Sequence, residues 1–133
     1  MSYDLAVFDP AVSPASRTEF VLWFKQQTQW GESHGYNDPE VPSSLLRAWF
    51  HETIETYPPM NGPLASDDPD DLKVTDYSLG RGLIYAAFAW SQSEGAHAHV
   101  RAVAAKHGVG FADVSGDSFA IWLPSDGTLV AMP

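Results

Sequence analysis

Apolar residues follow one another almost without a break from Tyr3 to Phe8, and Asp9-Pro10 ends the run. A segment this short and this continuous predicts a strand buried on both faces. Pro10 to Pro14 reads as a connector. From Ser16 the period changes to that of a helix: Phe20, Trp23, Phe24, Gln27 and Trp30 share a face behind the capping box Ser16-Arg17-Thr18-Glu19. Gly31 to Val41 is polar and turn-rich. Pro42 then suits a first helical turn. Leu45, Leu46, Trp49, Phe50, Thr53, Ile54 and Tyr57 form the most regular stripe in the chain, and Pro58-Pro59 stops it.

Residues 58–74 are dense in proline, glycine and charge, which predicts a long exposed loop, a class often tied to function. Asp76 to Leu79 fits a short strand and Gly80-Arg81-Gly82 its turn. Leu83 to Trp90 fits a central strand, although its alanines leave a buried helix open. Ser91-Gln92-Ser93-Glu94 matches a second capping box, opening a helix with Ala96, Val100, Val103 and Ala104 inward. Lys106-His107 and Gly108 suit its C-terminal turn. Val109–Val114 and Phe119–Leu123 read as strands around Ser115-Gly116-Asp117, followed by a further Asp-Gly turn and a short apolar tail. Trp23, Trp49 and Trp90 fit core positions, while Trp30 and Trp122 are expected at its margin.

The element order predicts one α+β domain over residues 1–133, as a ferredoxin-like β-α-β-β-α-β sandwich. An extra helix follows the first, and a β-hairpin extends the C-terminus.

Charge narrows the partners. Seven Lys and Arg face 17 Asp and Glu, a formal net charge of −10. Each half of the chain carries half of it, so the acidity belongs to the whole surface. Such a field disfavours nucleic acid and anionic membranes and favours a basic protein, besides its general effect on solubility. There is no cysteine, no signal-peptide pattern at the start, and no apolar run near the roughly 20 residues a bilayer requires. The expected compartment is the cytoplasm.

Catalytic motifs are not visible. His51 to Glu55 has Glu where a zinc-protease helix needs its second His. His97 and His99 point apart on a helix and are expected at the surface. A calcium loop starting at Asp67 fails at Pro69, Leu72 and Ser78. Gly80-Arg81-Gly82 precedes a strand, so no helix N-terminus would meet a phosphate there. The dense acidic cluster, Asp67, Asp68, Asp70, Asp71 and Asp76, reads as a solvated charge run or as a docking surface for a basic partner.

Pro58-Pro59-Met60-Asn61-Gly62-Pro63, Asp76-Tyr77-Ser78-Leu79-Gly80, Phe88-Ala89-Trp90-Ser91 and Lys106-His107-Gly108-Val109-Gly110-Phe111 carry a resemblance, together with Tyr3-Asp4-Leu5 and Asp113-Val114-Ser115. Over nearly its whole length the chain resembles a family of small acidic bacterial proteins. These are similar to the immunity proteins that accompany secreted polymorphic toxins of the Rhs, contact-dependent and type VI kinds. The resemblance implies stoichiometric binding that blocks a toxin's active surface, with no catalytic residues and no cofactor. The expected contacts are Asp67, Asp68, Asp70, Asp71 and Asp76, with Trp30, Glu32 and Asp38 from the neighbouring loop, in a monomer or homodimer. The alternative is a small enzyme or ligand-binding domain with a pocket between sheet and helices.

Overall fold

The computed structural model describes residues 2–133. Strand β1 (Ser2–Phe8) runs through the middle of the molecule. Helices α1 (Arg17–Gln27) and α2 (Ser44–Thr53) follow it, then strands β2 (Asp76–Leu79) and β3 (Leu83–Ala89). Helix α3 (Ser93–His107) leads to strands β4 (Gly110–Ala112), β5 (Ile121–Ser125) and β6 (Thr128–Ala131). The strands form one antiparallel open sheet in the order β2-β3-β1-β4-β5-β6. The α+β class holds. Six strands in this order go beyond the four of a simple ferredoxin-like sheet.

Alternation along β1 explains the layering. Tyr3, Leu5 and Val7 face one side, where Leu46, Trp49 and Phe50 of α2 and Val100 and Ala104 of α3 cover them. Ala6 and Phe8 face the other side, where Phe20 of α1 packs, with Trp23 and Phe24 at the margin. The helices therefore lie on both faces of the sheet. Burial of β1 on both faces demands this, and it replaces the single helical layer that a sandwich implies. The second core is aromatic: the Phe8 and Phe20 ring centroids are 4.6 Å apart, and Trp23 lies 6.4 Å from Phe8.

Local signals hold in part. Ser16 caps α1 through its Oγ, which accepts from the Glu19 amide, and Gly108 ends α3 at φ 69°. The capping box at Ser91 does not form. Trp90–Gln92 instead make a 3-10 turn, and no side chain caps α3. That turn leaves Trp90 46% exposed against Tyr3, so Trp90 is not a core residue. Helix α1 ends at Gln27, before Trp30, which sits at φ 55°. Leu45 falls one position off the inward stripe of α2 and is 42% exposed. The last strands form the expected hairpin, turned by Asp126 and Gly127, both at positive φ as a two-residue hairpin turn requires. Its first strand is displaced, however: Phe119 takes φ 47°, and β5 runs from Ile121 through Pro124 to Ser125.

Candidate functional site

The 58–76 segment is tied at its base. The Thr75 amide donates to the Pro58 carbonyl, and the Met60 amide donates to the Thr75 carbonyl, both at 2.8 Å. Between these points the chain is ordered by its own short polar side chains. Asp68 Oδ1 accepts from the Asp70 amide (3.0 Å) and Asp71 Oδ1 from the Lys73 amide (2.9 Å). Such turns form where Asp can bond the backbone two residues on. Among the described residues none of Asp67, Asp68, Asp70, Asp71 and Asp76 forms a salt bridge. Lys73, the single basic residue of the segment, lies 5.9 Å from the Tyr57 ring centroid instead.

The same segment exposes large apolar side chains. Met60 is 52% exposed, Leu64 44% and Leu72 65%. Met60 and Leu72 flank a shallow depression of about 480 Å³ rimmed by Asp67, Asp68 and Asp71. An apolar centre with a charged rim is the anatomy of a protein-binding surface.

Trp30, Glu32 and Asp38 have separate situations. The Trp30 ring is half-buried edge-on against Tyr36 (5.1 Å) and Tyr85 (6.0 Å). It shares a depression with Asp76, beside Phe24 and Ser78, so these two predicted residues do come together. Glu32 is an internal tether as well as a surface acid: its Oε1 bonds His34 and accepts from the Arg81 amide at 3.2 Å. Asp38 is exposed and accepts from the Glu40 amide.

The histidines correct a further expectation. His97 Nε2 lies 3.7 Å from Asp113 Oδ2. His99 is half-buried with a buried, unpartnered Nε2, and that burial lowers its pKa. Neither is a free surface group. Between α2 and α3, Glu52 bonds Lys106 (2.8 Å) and His107 (2.9 Å), and these hydrogen bonds hold its carboxyl below the usual carboxylate range. Tyr85 donates to Asp4 Oδ2, and Tyr77 donates to the Tyr57 carbonyl at 2.7 Å. Burial raises the pKa of both phenols, chiefly by disfavouring the phenolate, which suits structural donors. Among the described residues no group of three His, Asp or Glu side chains is placed to hold a metal ion. No helix there is long and apolar enough to cross a membrane.

No family model, curated protein or solved structure matches the chain. Its function is therefore argued from its own surface.

A further groove lies at the end of β1. Asp9 closes β1 at only 8% exposure and lines a groove of about 420 Å³ with Trp23, Glu32, Ser43, Arg81 and Gly82. A charged residue directly after a strand buried on both faces was the available clue.

Proposed function

We propose that the chain is an immunity-type binding protein of the bacterial cytoplasm, one that neutralises a cognate basic toxin by covering its active surface. The observation that carries this reading is the 58–76 segment. Its exposed Met60, Leu64 and Leu72 are set among aspartates that form no salt bridge among the described residues. The unpaired carboxylates would steer a basic partner, and the apolar centre would supply affinity on contact. Trp30 and Asp76 extend the face on the sheet side.

The ferredoxin-like comparison belongs to the same reading. Strands β2-β3-β1-β4, with α2 leading from β1 to β2 and α3 from β3 to β4 on one face, support it. In that comparison α1 is the added helix and β5–β6 the extension.

Calorimetry with the toxin encoded beside this chain tests the proposal. The expected result is a one-to-one complex whose affinity falls steeply with salt. Changing Asp67, Asp68, Asp70 and Asp71 together to Asn is expected to weaken it by about tenfold or more, with folding stability within about 0.5 kcal/mol of the parent. No binding to any neighbouring toxin, or binding indifferent to these substitutions, overturns the proposal.

A further inference from the structure

We propose that the groove beside the 80–82 turn is a binding site for an organic monocation, a guanidinium or ammonium group on a short alkyl stem. This site is separate from the docking face of the 58–76 segment and does not depend on it.

Asp9 forms its buried wall. One carboxylate oxygen accepts from the Ala11 amide at 2.9 Å, and the other has no hydrogen bond or salt bridge among the described residues. Buried carboxylates are normally matched by a cation or by several donors, because desolvation penalises a charge left alone. Here a single neutral donor serves a residue 8% exposed, and its unbonded oxygen is not among the fully buried atoms and so remains open to the groove. Glu32 lines the same groove with its Oε2 likewise uncommitted, while its Oε1 is held by His34 and the Arg81 amide. Ser43 also lines the groove, with its Oγ buried behind that lining and unpartnered. It stands at the start of α2 yet caps none of its amides. Two carboxylate oxygens are thus left open around one cavity, with the Ser43 hydroxyl buried behind it.

Val12, Gln27, Val41 and the Trp23 indole complete the lining, and an indole is the aromatic group that attracts cations most strongly. Gly82 lets the walls close: a Cβ there would sit 2.8 Å from Val12 Cγ2 and 3.6 Å from Trp23 Cζ2. Two carboxylates and an indole favour an organic cation over a metal ion, which would require a further hard ligand. A guanidinium, with five donors in a plane, matches this set of acceptors best. The groove's own cation, Arg81, is an exposed part of its lining and makes no salt bridge among the described residues, so it competes with the ligand by charge alone.

Titration of the intact chain with butylguanidinium, followed on the Trp23 indole N–H resonance, tests the site. Saturable shifts are expected at a Kd on the order of 1 mM, as suits so few ligand atoms. Butylurea, its neutral isostere, is expected to bind about tenfold more weakly or less. Asp9→Asn and, independently, Glu32→Gln are expected to weaken butylguanidinium, while Arg81→Gln tightens it. A blocked pentapeptide with one central arginine distinguishes a protein side chain from a free cation as the natural source, and binding of either supports the site. Absence of shifts with both ligands, equal response to butylurea, or loss of binding in Arg81→Gln overturns it, the last by pointing to an anion.

Discussion

Replacing Gly110 by alanine adds a single methyl group at the centre of the sheet. Gly110 pairs with Phe8 across β1 and β4, and the tip of the Phe8 ring occupies the space where a side chain would stand. An added Cβ would come within 2.1 Å of Cζ and 2.2 Å of Cε2. Carbon contacts settle near 3.5–4.0 Å, so the ring must withdraw by roughly 1.5 Å. It has nowhere to go. Phe8 is fully buried, with Phe20 4.6 Å and Trp23 6.4 Å away between their ring centroids. Overpacking of this kind costs about 3 kcal/mol at its upper range, and removing a strand glycine returns about 0.5–1 kcal/mol. The net loss is about 2 kcal/mol, which for a domain of this size lowers Tm by roughly 8 °C. Urea unfolding followed by circular dichroism reads it directly. Phe8→Leu removes these ring atoms, so the double variant should recover about 1 kcal/mol relative to the sum of the single changes. A Gly110→Ala variant within about 0.5 kcal/mol of the parent, or strict additivity with Phe8→Leu, refutes the reasoning.

Two further outcomes are expected. Tyr77→Phe removes a buried donor from the Tyr57 carbonyl and should cost about 1–2 kcal/mol in urea unfolding; a neutral substitution would mean that water or another donor takes its place. His99 faces the Tyr57 ring and feels Glu52, which raises its pKa, and Lys73, which lowers it, but burial dominates and the net shift is downward from 6.5. The unfolded chain then binds this proton more readily, so the contribution of His99 is full above the unfolded pKa and is lost as pH falls through the folded value. The stability difference between the parent and His99→Leu should shift against the parent from pH 7.5 to 5, and a constant difference rejects this account.

The alanines of β3 leave strand and buried helix both open, but strand and helix identity was otherwise largely legible: the α2 stripe declares it by period and β1 by its short apolar run. The face on which a helix packs was not, because periodicity identifies an inward side without naming what it meets. The exception is instructive. The unbroken apolar run of β1 already required cover on both sides, and α1 supplies the second cover. Trp90 and Leu45 depart from the inward pattern for a different reason, since each lies at an element end, where one turn of 3-10 geometry or one residue of phase rotates a side chain into solvent. The acidic segment was visible as composition. Its apolar centre depends on how residues 58–75 fold back on themselves, and the groove at Asp9 gathers residues spread from position 9 to position 82.

The two borders of the sheet are unequal. Beyond β2, the Tyr36 carbonyl accepts from the Leu79 amide and the Pro58–Met60 backbone bonds Thr75, so that border is occupied. Beyond β6 no backbone partner stands among the described residues. That border is only four residues long, and copies carrying ten excess negative charges repel one another before their edges meet. Ionic strength would therefore act in two directions on this molecule: screening that loosens the proposed hold on a basic protein also lowers the barrier to strand-to-strand contact between copies. Storage in concentrated salt should carry a self-association hazard that dilute buffer does not.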